Sequence, residues 1–460
     1  MCPILGAACS PIDNLQAPKQ LCLVSVRQWY GGFFARSEIA ATVFPVDVKT
    51  SSSAAPGFRP VLFAITVLAM SLLAYMPTPA CAIPGGAGEA AVPATETAAG
   101  TPFDRQGMWV WYIDHSEGGN LSRIVARAKQ AGIGTLYIKS GDAGSYWSQF
   151  SSGLVGALHA SGLDVCAWQF VYGESPVAEA KIGAAAVRRG ADCLVIDAEA
   201  EYEGHYASAE RYIRALRARI GAEFPLSLAG FPYVDYHPAF PYSVFFGPEG
   251  ATFNQPQMYW KAIGTSVRAV YEHTYLCNRL WGHPIYPIGQ TYDNPGAGQV
   301  LRFRRFAASY GLAPSWWDWQ ETNTAGWGAL GSTANEPLVG YRPIAEHPLL
   351  KRGSRGDLVV WAQEHLVGAG QTQLPVTGVF GKQTYSAVRS FQVANGLPAD
   401  GAIGTTTWSS LLNAEPARPR WAARPARGRT GSAGRVLPAR RPISATLPAH
   451  AYEIRPGPAP

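Results

Sequence analysis

The chain has 460 residues, 47% apolar and 15% charged, enough apolar material to bury a core and too ordered a composition for global disorder. Its formal charge of +6 belongs to one end: from Ala414 to Pro460 nine arginines face only Glu415 and Glu453, a net of +7, and everything before that segment sums to −1. With no basic folded surface and no zinc-finger or helix-turn-helix spacing, nucleic acid is excluded as a partner.

Residues 1–57 show no amphipathic period and stay unassigned; a translation start further down, near Val46 or Val48, would explain them. From 58 to 82 the pattern changes. Arg59 precedes a sixteen-residue apolar run, Val61–Met76, and small residues follow at Ala80 and Ala82. That layout predicts a secretory signal peptide cleaved after Ala82. The run falls short of the roughly 20 residues of a membrane span, and an uncleaved anchor is the alternative. Residues 83–102 read as an Ala/Pro/Gly linker. Four of the seven cysteines precede residue 82, so the processed chain would keep Cys166, Cys193 and Cys277 and form at most one internal disulfide. There is no CxxC and no HExxH, so neither a metal nor a cofactor is expected.

Over residues 103–330 strand-like runs recur, with helical patterns between most of them. They are Met108–Asp114, Thr135–Asp142, Asp164–Gly173, Cys193–Glu199, Leu226–Tyr233, Asn254–Trp260, Ile285–Asp293 and Ser315–Gln320. Asn120 opens one helix that closes at Gly132, and Ser175-Pro176 opens another that ends at Gly190. Tyr212, Ile213, Leu216 and Ile220 keep a helical stripe. Eight such units predict an α/β fold, a (β/α)8 TIM barrel, with no glycine-rich phosphate loop after the first strand.

Chemistry in such barrels gathers at the C-terminal strand ends. Here those ends supply Trp111 and Asp114, Asp142, Trp168, Tyr233, Gln257 and Tyr259, Gln290, Asp318 and Trp319 as candidate substrate-binding residues. Rings beside carboxylates and amides suit a sugar. The sharpest local signal is Asp197-Ala-Glu199. Alternation along a strand puts both carboxylates on one side, with Cα atoms about 6.6 Å apart, facing the barrel mouth. Two close carboxylates resist ionising together, and glycosidic cleavage needs such a pair.

A barrel whose fourth strand ends in Asp-x-Glu resembles the lysozyme-type muramidases of glycoside hydrolase family 25, and more distantly the family 18 chitinases. The resemblance implies that Glu199 is the proton donor and that Asp197 stabilises positive charge or orients the substrate. Asp114 and the Trp319-Gln320 pair stand where family 25 carries an acidic residue and a final Trp-Gln.

After a linker at 331–346, residues 347–413 contain a duplication. Gly378-Val-Phe-Gly-Lys-Gln-Thr384 and Gly401-Ala-Ile-Gly-Thr-Thr-Thr407 share one Gly-x-(Phe/Ile)-Gly-x-x-Thr pattern. This segment resembles the peptidoglycan-binding domain type 1, which implies a small C-terminal three-helix bundle with peptidoglycan as partner. The tail 414–460 is Pro/Arg-rich and expected to be disordered. It suits contact with anionic wall polymers or a membrane surface, or plain solvation. The whole reads as a monomeric, secreted or cell-wall-associated protein that cleaves peptidoglycan glycan strands by carboxylate acid/base catalysis. Two alternatives stay open: a non-catalytic wall-binding protein, and a glycosidase acting on another extracellular polysaccharide.

Overall fold

The computed structural model describes the backbone of Gly6–Ser10, Leu21–Tyr30 and Phe33–Ile39, then Cys81 and residues 100–333 and 335–418. The apolar run Val61–Met76 and nearly all of the basic tail lie outside the described residues. The three N-terminal segments pair as an antiparallel sheet.

Eight parallel strands follow: β1 (Gly107–Val110), β2 (Thr135–Asp142), β3 (Asp164–Val171), β4 (Cys193–Ala198), β5 (Leu226–Gly230), β6 (Phe253–Pro256), β7 (Ile288–Gln290) and β8 (Ser315–Trp317). They pair in chain order from β1 to β6, and β8 lies between β7 and β1. The parallel bridges Asn254↔Ile285 and Gln257↔Ile288 join the sixth and seventh positions, so the ring closes. The expected barrel is therefore present. Its strands start within one residue of the apolar runs, except β7, which starts three residues later, and in six of the eight units they stop two to four residues early, because the aromatic continuations leave the sheet as loops.

The helices are α1 (Leu121–Gln130), α2 (Ser152–Ala160), α3 (Pro176–Val187), α4 (Tyr206–Ile220), α5 (Tyr242–Phe245), α6 (Trp260–Ile263), α7 (Val267–Asn278), α8 (Ala297–Ser309) and α9 (Thr324–Leu330). Asn120 caps α1 by accepting from the Arg123 N–H at 3.0 Å, and Gly132 follows the helix end at φ +67°, the left-handed turn that glycine tolerates. Alternation sorts the strand residues. Leu136, Ile138, Leu194 and Ile196 face the helices, whereas Trp109, Tyr137, Cys166, Trp168, Cys193 and Val195 fill the interior. Phe103 plugs the N-terminal end against Tyr137, Phe253 and Tyr286.

The unit after β5 is unusual. Its own helix, α5, has a single turn. The space alongside α5 is taken by α10 (Asp357–Gly368), the first helix of the C-terminal module, in which every residue from Asp357 to Leu366 is buried. Asp357 accepts from Ser243 of α5, and Trp361 donates its indole N–H to the Leu280 carbonyl at 2.8 Å while its ring lies edge-on to Trp281, centroids 5.2 Å apart. The module thus supplies a helix that the barrel's own fifth unit lacks.

With α11 (Lys382–Ala394) and α12 (Thr405–Leu411), α10 forms the expected three-helix bundle. The duplication has a physical basis. Buried Gln363 accepts from the N–H groups of Thr377 and Gly378 and donates to Val379 O and Thr384 Oγ1. Buried Gln392 repeats this on the second copy, accepting from Gly401 N–H and donating to Ala402 O and Thr407 Oγ1. Each repeated turn is closed by one amide side chain that satisfies both its donors and its acceptors.

Two disulfides are formed. Cys166–Cys193 joins register partners on β3 and β4, and Cys81–Cys277 ties Cys81 to α7. The expectation of at most one internal bond concerned the chain processed after Ala82; in the full chain Cys81 is the partner of Cys277. Cleavage after Ala82 would cut the backbone next to Cys81 and leave Cys166–Cys193 as the bond lying wholly within the processed chain. Among the described residues no helix is long and apolar enough to cross a membrane.

Candidate active site

Asp197 is the last inward-facing residue of β4 and is buried; Glu199, one step beyond the strand, is half-buried and closer to solvent. The expected same-side placement is realised through a third residue. Gln257, just past β6, donates from Nε2 to Asp197 Oδ1 at 3.1 Å and to Glu199 Oε1 at 3.0 Å. One amide nitrogen within reach of both holds these two oxygens no more than about 6 Å apart.

Burial raises the proton affinity of both carboxyls. Asp197 is raised well above the usual carboxylate range by desolvation first and by the Glu199 charge second, with Lys139 opposing. Glu199 is raised by desolvation, partly offset by the Gln257 hydrogen bond. Such a pair holds a proton where an ordinary carboxyl has lost it, which is what a general acid needs near neutral pH.

Lys139, on β2, is buried among rings. Its Nζ lies 4.5 Å from the Trp111 centroid, 4.5 Å from Trp147 and 4.8 Å from Trp168, and 2.7 Å from Asp142 Oδ2. The indoles of Trp109, Trp111, Trp168 and Trp317 pack on one another with centroids 5.4–5.9 Å apart. Gln320 and Gln149 pin the Trp111 backbone, one accepting from its N–H and the other donating to its carbonyl. The Trp111 indole N–H is buried without a protein partner. Tyr259 and Tyr292 stand edge to face at 5.4 Å; both hydroxyls feel the charge of Glu199 and Asp318. Burial, with Glu321 nearby, pushes Asp318 up to about 7.

Asp197, Glu199, Gln257, Tyr259, Trp111, Asp142 and Asp318 thus share one end of the barrel, while Trp168 lies beneath them, buried in the interior with its indole N–H donated to Val110 O. Other candidates are spent elsewhere. Trp319 is buried against Trp327 of α9, centroids 4.8 Å apart. Tyr233 stacks on His273 at 3.9 Å. Gln290 accepts from the N–H groups of Lys261 and Ala262 and so caps α6. Asp114 is exposed in the loop after β1. Trp147, which lies outside the strand runs, is the residue that pattern reading misses; Lys139, Trp317 and Tyr292 lie on the strand-end runs, and the structure adds them to the candidates. Lys139 carried a signal, an inward position on a strand, but a lone lysine there has no motif.

One group among the described residues has metal-donor composition: Cys81, Asp235, His273 and Cys277, with ligand atoms within 4.8 Å of one another. Its two sulfurs are joined to each other, which removes both thiolates as ligands.

The family model for a peptidoglycan binding domain matches residues 355–411. An uncharacterized protein in the bpoA1 3' region of Kitasatospora aureofaciens is 34% identical over 89 residues, 19% of this chain and 74% of that protein. The spore cortex-lytic enzyme of Bacillus cereus is 41% identical over 66 residues, 14% of this chain; the chain spans only 26% of that enzyme. Among solved structures, the catalytic domain of a mannanase from Streptomyces sp. SirexAA-E is similar over 56% of this chain and 98% of that domain, at 14% identity and a TM-score of 0.39.

Proposed function

The chain belongs to the family of the Kitasatospora protein and carries a peptidoglycan binding domain; from that premise we propose that it is a cell-wall glycoside hydrolase acting on the glycan strands of peptidoglycan. The observation that carries the reading is the Asp197–Glu199 pair clamped by Gln257 at the open end of the barrel. Glu199, nearer to solvent, donates the proton to the leaving oxygen. Asp197 beneath it shares the Gln257 amide with it and orients it, and the indoles around Lys139 give the sugar faces a platform. The finer assignment, a muramidase of the family 25 type, rests on the Asp-x-Glu motif. The Cys166–Cys193 disulfide, which processing after Ala82 would leave untouched, fits an oxidising, extracytoplasmic site of action.

The test is direct. Purified chain incubated with insoluble peptidoglycan between pH 4 and pH 8 should release reducing sugar ends and clear a zymogram. No release at any pH overturns catalysis and leaves a barrel that holds glycan without cutting it.

A further inference from the structure

We propose that the seam between the barrel rim and the module is a second ligand site, which takes the peptide stem of peptidoglycan while the attached glycan runs to the carboxylates. This rests on reading the barrel as glycan-cleaving.

At the seam two backbones meet closely. Gly356 sits at φ +105°, and a Cβ there would lie 2.5 Å from Pro238 Cβ and 2.8 Å from the Pro238 carbonyl oxygen. Glycine is required by the approach as well as by the torsion. The Asp357 N–H donates to Pro238 O and the Gly356 N–H to Gly378 O, each at 2.8 Å. Around this fixed floor opens a cavity of about 330 Å³, within the range of small-ligand pockets. Tyr206, Pro238 and Ala239 line it from the barrel, and Arg355, Val360 and Val376 from the module. Neither half makes the cavity alone.

Its position links it to the carboxylates. Tyr206 and Ala239 lie on the segments that leave β4 and β5 at the C-terminal end of the barrel. The Gly204 N–H donates to Ala239 O at 2.7 Å, and His237 Nδ1 lies 2.8 Å from Glu203 Oε1. These bonds fasten the seam wall to the loop that begins at Glu199.

Its chemistry names the ligand class. Val360, Val376 and Pro238 offer apolar surface suited to methyl side chains. Arg355 is exposed at the rim, and its guanidinium makes no ion pair or hydrogen bond with a described residue. An open guanidinium beside small apolar walls matches a short, alanine-rich peptide with free carboxylates. That is the stem carried by the glycan that the module's family binds.

The experiment uses the full chain with Glu199→Gln, so that binding is read without turnover and independently of whether the wild type cuts wall. Isothermal titration is run with a disaccharide–tripeptide muropeptide and with the same disaccharide lacking the peptide. Arg355→Ala should weaken muropeptide binding about tenfold, with partial recovery in Arg355→Lys. Ala239→Glu, which puts a carboxylate on the barrel wall, should weaken it similarly. Neither should change the affinity for the bare disaccharide. Both positions are exposed, and unchanged thermal melting confirms folding. Muropeptide affinity untouched by both variants overturns the proposal. Loss in Arg355→Ala alone assigns the peptide to the module and overturns the shared site, as does equal loss of the bare disaccharide.

Discussion

Asp357 of the module accepts two hydrogen bonds from Ser243 of the barrel, the backbone N–H at 2.8 Å and the hydroxyl at 2.7 Å, with both residues buried. A flexibly tethered binding domain would have no such contact. Asp357→Ala strands the two Ser243 donors and the Tyr206 hydroxyl and should cost at least roughly 1–3 kcal/mol. Trp361→Ala opens a cavity against Trp281 and should cost about 3–5 kcal/mol. Calorimetry of either variant should show barrel and module losing stability together, in one transition. Two independent transitions, with only the weaker one moved, would show that the shared helix does not couple them.

Glu199→Gln should lower turnover on cell wall by at least about 10²-fold, the lower end of what general acid catalysis contributes, while pelleting with wall is retained. Asp197→Asn should also slow turnover, because it removes the carboxyl whose proton and charge are coupled to those of Glu199. A Glu199→Gln variant as fast as wild type moves the acid elsewhere, and Asp318 is the next carboxyl to test, since it is pushed up to about 7.

Gln257→Leu tests the clamp through pH. The amide's donation holds the Glu199 proton affinity down. Without it, Glu199 should stay protonated to higher pH. A general acid works only while protonated, so the alkaline limb of the pH–rate profile should move to higher pH as the maximum rate falls. A lower maximum with no movement of that limb would reduce Gln257 to a packing residue.

Glu364, on the same face of α10, gives a stability prediction. Burial pushes it up to about 10, and burial pushes Asp357 up to about 7. Both bind a proton more tightly folded than unfolded. Their contribution to stability is therefore full below the ordinary carboxylate range and is lost as pH rises, by up to about 1.4 kcal/mol per pH unit for one proton. The melting temperature should fall between pH 5 and pH 8. Glu364→Gln should flatten that fall and stabilise the protein more at pH 8 than at pH 5, as read by thermal denaturation across the series.

The starts of the strands and the inward placement of Asp197 and Glu199 were legible because alternation is a local property of β4. The same rule failed at Trp319, since the strand ends at Trp317 and the count of faces no longer applies beyond it. It failed at Gln290 for another reason. The residue is buried near the right end, but its amide is consumed by the N-terminus of α6. The shared helix left no local trace at all. The stretch from Phe231 to Gly250 has no helical period, and the segment that packs there is encoded more than a hundred residues later.

A hydrolase on a loose tether can sweep an area of wall from one anchoring point. A barrel that incorporates a helix of its own anchor has no such sweep. On the proposed function, the packing of α10 fixes the Gln363 and Gln392 turns relative to the Glu199 carboxyl, so the anchored molecule would address strands of one orientation only. Once those are cut it must let go before it can work again, and anchoring that is too tight would slow it. On that reading, release from the wall, rather than bond cleavage, would become the step on which its working rate depends.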